Sequence, residues 1–447
     1  MCLPLREAVP RAASIFFFMK YSTEWLEKNN KYTDYKHFDK KVLLKNVIKD
    51  IEKPQNIEKH AFIPFLRIYK RNIKYNGKDK KVKVRSINYA SHYDSCIYKY
   101  YSFLVDKAYE KYAKTKLINK VAIGYRSSFQ ETNIQFAKQA FDFIKKQYNS
   151  IVFIGDFTDF FDNLDHKYLK KQLCKIFGVA SLPLDQYQVF KSLTKYTFVE
   201  KHALNTQMKA NGEVEYKHIL LPIQKLNDYK HLIHKKATKG VAQGISLSAI
   251  YSNVYMIDFD EICNKLAHKY NGLYLRYSDD FIFVFPDKEP FEVKMLYKEI
   301  LRNVAYIPGL SLSTEKTKIY YCSKDKIKSC EKEIGASSNS KNSIDYLGFN
   351  YDGKWVRIRE KTIAKYYYRT YSKIKFINFN RRLNRQPQGK KNLYLTYSLK
   401  GTKIKKNFLT YVNRCIDEFG YGERVHSVLN KHYGKIKKRL IKMKEGN

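Results

Sequence analysis

The sequence lacks the features that mark disulfide-bonded, zinc-binding or membrane-spanning proteins. Its seven cysteines are scattered along 447 residues without a Cys-x-x-Cys pair, which argues against a disulfide framework or a cysteine zinc site and favours a reducing, cytoplasmic location. No apolar run approaches the roughly 18 residues that a membrane span requires. The short run Ile15–Phe18 lacks the length and the cleavage site of a good signal peptide. We therefore expect no membrane association.

Acidic residues are also scarce. The chain has only 43 Asp and Glu residues but 85 Lys and Arg residues, which gives a formal charge of +42. This excess implies a polyanionic partner, with nucleic acid as the first candidate. An AT-rich genome would raise the lysine count without any selection for binding, but it does not explain why acids are so few. Residues 361–447 alone hold 23 basic and 4 acidic residues, so much of the excess lies at the C-terminal end.

Neither an internal repeat nor a linker rich in Gly, Ser or Pro divides the chain, so we expect lobes joined by short connections. A chain of this length suits two or three lobes that share interfaces. The predicted divisions are a helical N-terminal extension (1–58), a mixed lobe (59–150), a central lobe (151–352) with an insertion at about 170–236, and a basic helical C-terminal lobe (353–447).

Several segments have patterns that predict their secondary structure. The run Ile151–Ile154 is short, apolar and β-branched, which favours a buried strand. Residues 200–236 are polar and aperiodic, which predicts an inserted loop or hairpin. Further predictions are a basic strand at Lys81–Ile87, helices at Tyr98–Tyr112, Gln130–Gln147 and Leu247–Leu266, and one amphipathic helix from Val425 to Met443.

The strongest local signal is the tetrapeptide Tyr277–Asp280. Apolar, aromatic segments flank it on both sides, Leu273–Arg276 and Phe281–Phe285, which predicts a hairpin with the carboxylates of Asp279 and Asp280 at its tip. Like charges side by side are costly unless a cation binds between them, and hard oxygen ligands favour Mg²⁺ or Mn²⁺. Taken alone, the tetrapeptide is more simply explained as a solvated turn.

A third acid strengthens the interpretation, because Asp156 directly follows the predicted buried strand and can face the hairpin from there. Nucleotidyl transfer uses two divalent ions roughly 3.5–4 Å apart, one for the attacking 3′-hydroxyl and one for the leaving pyrophosphate. Three carboxylates on two strands suffice to hold them. For Asp159, Asp162 and Asp165 we favour the simpler roles of helix caps or solvated acids.

Five motifs in a fixed order resemble those of the bacterial reverse transcriptases, and within them the defence-associated and abortive-infection group. The resemblance covers about residues 80–365. The matching segments are Asp156–Asp162, Lys239–Ser248 with Asn253, the tetrapeptide Tyr277–Asp280, Leu310–Lys318, and the primer grip Tyr346–Phe349. Because chance would have to supply five matches in sequence, the resemblance is specific.

The resemblance implies a role for individual positions. Asp156, Asp279 and Asp280 would be the catalytic metal ligands, and Lys316 would neutralise or protonate the leaving pyrophosphate, although a surface lysine is nearly as good an explanation. Phe161 would act as a steric gate against a ribose 2′-hydroxyl. The remaining roles fall to Arg85 as a triphosphate clamp with Lys83 as a weaker companion, to Gln243 and Gly244 beside the incoming nucleotide and template, and to Leu347, Gly348 and Phe349 as the primer grip.

The sequence also departs from its relatives. Ala242 and Ala249 stand where many of them have proline, and no Val-Thr-Gly element of the retron enzymes is present. The segments Tyr89–Asp94, Ala122–Arg126 and Trp355–Arg359 resemble the defence-associated group most closely. That resemblance implies a role in defence against phage, with a structured non-coding RNA as partner.

The expected fold is an α+β right-hand polymerase: fingers at 59–150, a palm with an antiparallel sheet at 151–352, and a basic helical thumb at 353–447. The resemblance implies an RNA template, a DNA product, deoxynucleoside triphosphates as substrates and Mg²⁺ or Mn²⁺ as cofactor, and it leaves a homo-oligomer open. Two alternatives remain. The chain could be a template-independent or protein-primed nucleotidyltransferase, or a non-catalytic RNA-binding scaffold, although a retired site has no reason to keep three repelling carboxylates.

Overall fold

The computed structural model of the protein describes residues 20–76, 79–116, 118–129, 131–236, 238–313, 316–324, 326–335, 341–383, 390–399, 406–429 and 432–445. Its strands are β1 (Phe65–Asn76), β2 (Asp79–Tyr89), β3 (Asn149–Asp156), β4 (Thr197–Glu200), β5 (Ile233–Lys235), β6 (Leu273–Tyr277), β7 (Asp280–Pro286), β8 (Lys318–Ser323), β9 (Lys326–Ser329), β10 (Ile344–Tyr346), β11 (Phe349–Tyr351) and β12 (Val356–Ile358).

Sixteen α-helices lie within the same ranges. They are α1 (Thr23–Asn29), α2 (Leu44–Ile51), α3 (Pro54–Glu58), α4 (His92–Thr115), α5 (Asn133–Lys145), α6 (Phe160–Asn163), α7 (His166–Phe177), α8 (Leu184–Thr194), α9 (Lys201–Ala210), α10 (Ser246–Tyr255), α11 (Ile257–Lys269), α12 (Val293–Ala305), α13 (Glu360–Arg382), α14 (Lys390–Tyr397), α15 (Phe408–Phe419) and α16 (His432–Glu445). Short 3-10 segments occur at Ile223–Leu232, Pro290–Glu292, Glu331–Ile334 and Arg424–Val428. No helix among these residues is long and apolar enough to cross a membrane.

A five-stranded antiparallel sheet in the order β6-β7-β3-β8-β9 forms the palm. Strand β3 lies at its centre, and side chains alternate between the two faces of a strand. Ile151 and Phe153 therefore enter one hydrophobic core, together with residues of α4, α10, α11 and α12. Val152 and Ile154 enter the other, with residues of α5 and α15. Both faces of the sheet are covered, which confirms the predicted buried strand.

The fingers contain a second sheet in the order β2-β1-β4-β5. Strands β1 and β2 form a long antiparallel hairpin, and β4 runs parallel to β1. The basic strand predicted at Lys81–Ile87 is part of β2, which is an edge of this sheet. Two cationic side chains of β2, Lys83 and Arg85, line one pocket together with residues of the palm.

The prediction of an inserted loop or hairpin at 200–236 is only partly right, because β4 and β5 pair antiparallel at its two ends but the chain between them is not a loop. This segment contains α9, the 3-10 segment Ile223–Leu232 and β5. Its few apolar side chains lie at irregular spacings, which hides any helical period. They nevertheless form a separate small core with Phe38, Leu66 and Val199. Tertiary contacts therefore order a segment whose local sequence pattern gives no signal.

A third, small sheet joins the palm to the thumb, in the order β10-β11-β12. The predicted palm boundary between residues 352 and 353 lies between β11 and β12, so this sheet extends across it. The thumb continues with α13 to α16. The single amphipathic helix predicted from Val425 to Met443 is wrong, because the chain forms a 3-10 segment at Arg424–Val428 and a distinct helix α16. Val425 and Val428 pack into the palm-facing core, whereas Ile436 packs within the thumb.

The remaining helix predictions agree with the structure. Helices α4 and α5 cover the predicted Tyr98–Tyr112 and most of Gln130–Gln147, and α10 with α11 covers Leu247–Leu266. Helices α1 to α3 lie within the predicted N-terminal extension, and the apolar run Ile15–Phe18 lies outside the described residues. The architecture is thus the expected α+β right-hand polymerase fold.

Candidate active site

The turn between β6 and β7 carries two of the three candidate carboxylates. Tyr277 and Asp280 are the last paired residues of the hairpin, so Ser278 and Asp279 form its two-residue loop. Ser278 has a φ of +60°, a backbone conformation that costs a non-glycine residue free energy and is typical of functional turns. The turn thus holds the carboxylates of Asp279 and Asp280 at the end of the hairpin.

The third carboxylate lies directly opposite this turn. Asp156 is the last residue of β3 and pairs in register with Asp280, the first residue of β7. The preceding residue is Gly155, where an added Cβ would lie 2.2 Å from the ring of Phe281. Only glycine lets that ring pack under the strand end. The three acids predicted from separate motifs therefore lie at the same end of neighbouring palm strands.

Lys316 lies against the same carboxylates. Its Nζ donates to both Oδ1 and Oδ2 of Asp156, at 2.7 Å each. The preceding segment is held in place by backbone hydrogen bonds, since Thr158 N donates to Ser311 O and Ser313 N donates to Asp156 O, both at 2.9 Å. The lysine predicted to act at the leaving group therefore lies next to a candidate metal ligand.

The charges of the site leave one carboxyl group poorly stabilised. Loss of hydration in the cleft, together with the charges of Asp279 and Asp156, raises the pKa of Asp280 to about 7, although Arg359 and Lys316 oppose the shift. A cation bound between these groups would relieve the repulsion. All three donors are carboxylates, which suit Mg²⁺ or Mn²⁺. The residues therefore fit a divalent ion, although no three His, Cys, Asp or Glu side chains of the described chain already surround a common metal position.

One pocket of about 370 Å³ brings most of the predicted site residues together. Its walls come from the fingers strand β2, the end of β3 with α6, the segment before α10, and the β6-β7 turn. The lining residues are Lys83, Val84, Arg85, Ser86, Tyr125, Asp156, Phe157, Asp159, Phe160, Phe161, Asp162, Gln243, Asp279 and Lys316. Basic side chains from the fingers thus face the acids of the palm across a space of nucleotide size.

Gln243 is oriented by a neighbouring acid. Its Nε2 donates to Oδ2 of Asp162 at 3.0 Å, and Nζ of Lys236 lies 3.6 Å from Oδ1 of the same carboxylate. The sequence predicts only a helix-capping or solvated role for Asp162. In the structure its carboxylate also contacts Gln243 and Lys236. Asp165 does cap a helix as expected, because its Oδ1 accepts from Tyr168 N at the start of α7 at 2.7 Å.

Gly244 does not line this pocket. It has a φ of +101°, and an added Cβ would lie 2.7 Å from Ile87 Cγ2 and 2.9 Å from Asn88 O. The backbone amide of Asn88 also donates to Gln243 O at 2.9 Å. Gly244 therefore permits a close backbone approach to the fingers strand β2, and its place beside the nucleotide and template stays a prediction.

The predicted primer grip forms a tight hairpin turn. Leu347 and Gly348 both have positive φ, +45° and +95°, as the turns that connect short antiparallel strands require. Asn133 Nδ2 donates to Leu347 O at 2.9 Å. The side chain of Phe349 is buried against Phe419, so only the turn itself is available for contact with a primer.

A second, larger cleft of about 790 Å³ lies on the other side of the acids and contains Asp156, Asp280 and Lys316. Its walls come from β8, the small sheet and the start of the thumb. Its other charged residues are Lys318, Lys341, Asp345, Asp352, Arg357, Arg359, Glu360 and Lys361. The acids therefore lie where two clefts meet.

Sequence reasoning missed two parts of the site. Tyr125, which has a φ of +59°, lines the smaller pocket beside Asp279. Arg276 is completely buried behind the β6-β7 turn and forms an ion pair with Asp260. Arg276 is the one charged residue in the apolar segment Leu273–Tyr277, and this pattern could have revealed a buried charge there.

The sequence profile of the family described as reverse transcriptase (RNA-dependent DNA polymerase) matches residues 95–351. This range is more than half of the chain and contains all three candidate carboxylates. The chain belongs to the reverse transcriptase family. Its enzymatic domain is accordingly that of an RNA-directed DNA polymerase, a nucleotidyltransferase.

Solved telomerases share limited similarity with this reverse transcriptase chain. The telomerase of Candida tropicalis without its C-terminal domain has 15% identity and a TM-score of 0.37 over 65% of this chain and 55% of its own. The Candida albicans telomerase in complex with a TWJ fragment of telomeric RNA has 14% identity and a TM-score of 0.38, over 90% and 66%. Apo telomerase from Candida tropicalis has 15% identity and a TM-score of 0.38, over 85% and 67%. This chain thus spans between about half and two thirds of their lengths, and no curated protein matches it.

Proposed function

We propose that this protein extends a DNA strand along an RNA template by adding deoxynucleotides at the meeting point of its two clefts. One observation carries the proposal: residues of the fingers, the palm and the β6-β7 turn line one pocket that contains two of the three acids. Basic groups there face acidic groups across the space. This is the charge arrangement that a triphosphate and a pair of cations require.

Each side chain of the pocket has a defined task in this proposal. Arg85 binds the triphosphate through its guanidinium fork, and the ring of Phe161 excludes a ribose 2′-hydroxyl. Gln243, held by Asp162, contacts the nucleotide from the palm side. Lys316 stabilises the charge that develops on the leaving pyrophosphate.

Asp156, Asp279 and Asp280 would hold the divalent ions, Mg²⁺ or Mn²⁺. Such ions activate a 3′-hydroxyl and stabilise a leaving pyrophosphate. Before an ion binds, Lys316 shields the charge of Asp156. A proton on Asp280, with its pKa near 7, reduces the remaining repulsion. The chain thus reduces the repulsion among the three acids by neutralising two of them in different ways.

The thumb would hold the RNA–DNA duplex by its phosphates. Helix α13 presents exposed Lys365, Arg369 and Lys375 beside exposed Tyr368 and Phe376. Lysine and arginine bind phosphates without reading the base sequence, and exposed rings can stack on unpaired bases. Binding to the duplex should therefore depend strongly on salt and weakly on sequence.

We further propose that the protein belongs to the defence-associated bacterial group and acts against phage with a structured non-coding RNA as its template or partner, in the cytoplasm. The motifs Tyr89–Asp94, Ala122–Arg126 and Trp355–Arg359 support this assignment, because they resemble that group most closely. Sequencing the nucleic acid that copurifies with the protein from infected cells tests it. Recovery of only random cellular RNA would argue against a dedicated RNA partner.

The polymerase activity is tested with a primed RNA template and labelled deoxynucleotides. The double variant Asp279→Asn/Asp280→Asn should lose primer extension and keep its affinity for RNA, since the thumb supplies that affinity. Asp159→Asn is the matched control, because Asp159 lines the same pocket without a metal-binding task, and it should retain most activity. Equal extension by the wild type and the double variant would refute the site.

A second candidate function is protein-primed synthesis, and the position of Tyr125 favours it. Its side chain is 44% exposed and shares the pocket with Asp156 and Asp279, so its hydroxyl could take the place of a primer 3′-hydroxyl. Labelled DNA would then remain attached to the denatured protein, and Tyr125→Phe would remove that label. If the primer is a nucleic acid, neither the wild type nor Tyr125→Phe will carry attached label.

A further inference from the structure

Arg276 is a charged residue in the interior of the palm. It lies in β6, and both its side chain and that of its partner Asp260 are completely buried. The guanidinium donates to both carboxylate oxygens of Asp260, from Nε at 2.7 Å and from Nη2 at 2.6 Å. A fully buried ion pair recovers little or no net stability relative to apolar side chains of the same size, so stability alone is a weak reason for its presence.

The remaining nitrogen of the guanidinium, Nη1, faces the β6-β7 turn. Nη1 of Arg276 donates to the backbone carbonyl of Ser278 at 2.9 Å and to Asn253 Oδ1 at 3.3 Å. Ser278 directly precedes Asp279 and has the positive φ of the turn. Its carbonyl oxygen thus receives a charge-assisted hydrogen bond from a group that cannot move without breaking the bonds to Asp260.

The same network holds the turn from its other side. Asn253 Nδ2 donates to Gly124 O at 2.7 Å, and an added Cβ at Gly124 would lie 3.0 Å from Ser278 N. The backbone of Arg276 also pairs with this segment, because its amide donates to Val121 O and its carbonyl accepts from Ile123 N, both at 2.9 Å. The turn is therefore enclosed between Arg276 and the segment 121–124.

We propose that Arg276 is a positioning residue for nucleotidyl transfer, which fixes the Ser278-Asp279 loop so that Asp279 and Asp280 stay directed at Asp156, and that Asp260 is the counter-ion that aims its guanidinium. The inference rests on the proposed polymerase function. Arginine is required because a lysine ammonium cannot bond both Asp260 oxygens and the Ser278 carbonyl in this fixed fork.

The first test measures the turn itself by hydrogen exchange and mass spectrometry. Two variants are compared with the full-length wild type: Arg276→Lys, and the apolar replacement Arg276→Met/Asp260→Leu, which avoids an unpaired buried charge. Amides of the peptide that covers 277–281 should exchange at least about tenfold faster in both variants, while α11 and β3 keep their protection. Unchanged exchange at the turn would overturn the proposal, and a uniform loss along α11 would assign Arg276 to folding alone.

The second test measures catalysis. Misplacement of a catalytic group by about 1 Å can cost roughly 100-fold in rate, so both variants should lose about 10-fold to 100-fold in kcat with an unchanged KM for the deoxynucleotide. Tyr274→Phe is the matched control, because its hydroxyl also donates to Asp260, at 2.9 Å, without touching the turn. It should lower stability and leave kcat unchanged.

Binding of Mn²⁺, followed by electron paramagnetic resonance without any substrate, separates this inference from the proposed function. If the wild type extends no primer but binds Mn²⁺ more tightly than Arg276→Lys, the polymerase proposal fails and the positioning of the acids by Arg276 stands. If the wild type extends primers and the variants match it in kcat and Mn²⁺ affinity, the positioning role is wrong and the polymerase proposal stands.

Discussion

Nζ of Lys316 donates to both carboxylate oxygens of Asp156, at 2.7 Å each. The lysine thus lies against one of the carboxylates that would hold a divalent ion, where its charge would also be close to a leaving pyrophosphate. A positioned general acid contributes roughly 100-fold to 10,000-fold to a rate. Lys316→Met should therefore lower kcat by about 100-fold or more in single-turnover primer extension, with an unchanged affinity for the primed template.

Lys318 provides the control for that experiment. It lines the larger cleft with Lys316, but its Nζ lies 3.8 Å from Glu331 Oε1 rather than against a catalytic acid. Lys318→Met removes the same charge from the same cleft and should leave kcat within a few-fold of the wild type. A similar loss in both variants would show that the cleft needs positive charge in general and that Lys316 has no special task.

Phe161 should decide between deoxynucleotides and ribonucleotides. It is half-buried, packs edge-on against Phe160 and lines the smaller pocket. Phe161→Ala opens space for a 2′-hydroxyl, so the ratio of ribonucleotide to deoxynucleotide kcat/KM should rise, by up to roughly 100-fold. Phe161→Tyr keeps the bulk and should keep the ratio near that of the wild type. A ratio that is unaffected by the alanine would remove Phe161 from this role.

Gly244 offers a test of how the fingers are attached to the palm. In Gly244→Ala the new Cβ meets Ile87 and the Asn88 backbone of β2, the strand that carries Arg85. We expect a lower Tm and a higher KM for the deoxynucleotide. Backbone strain at a positive φ costs about 1–3 kcal/mol by itself, so a control with strain alone is needed.

Gly178→Ala is that control. Gly178 ends α7 with a φ of +66°, and an added Cβ there has no atom within 4 Å. This variant should lose stability to strain and keep the wild-type KM. If the two alanine variants change KM equally, the contact between Gly244 and β2 does not position Arg85.

Local sequence patterns predicted those parts of the site that consist of a few consecutive residues. The strand before Asp156, the turn at Asp279 and the order of the motifs each extend over a few residues, and alternation or residue type marks them. The Arg276–Asp260 pair was missed because its two members lie on different elements and only the fold shows that they touch. The helix α9 was missed for a related reason, since Leu204 and Met208 find their partners on β1 and β4. Long-range packing, which no local window contains, decided both.

Asp280 should make the metal-free protein less stable as the pH rises. The pKa of Asp280 is raised to about 7 in the folded protein, from an ordinary value of 3.8. A raised pKa in the folded state contributes stability that is fully present below pH 3.8 and is lost between that pH and about 7. Asn at position 280 cannot ionise. With chelator present, Asp280→Asn should therefore match the wild-type Tm near pH 4 and exceed it by a few degrees at pH 8. The difference is modest because the cleft removes only part of the hydration of Asp280, and the solvent that still reaches the residue screens the charges. Mg²⁺ should reverse the order at pH 8, because it stabilises the wild type more than the variant, which has lost one of the three carboxylates. A Tm difference that is the same at both pH values would mean that Asp280 does not titrate in this range.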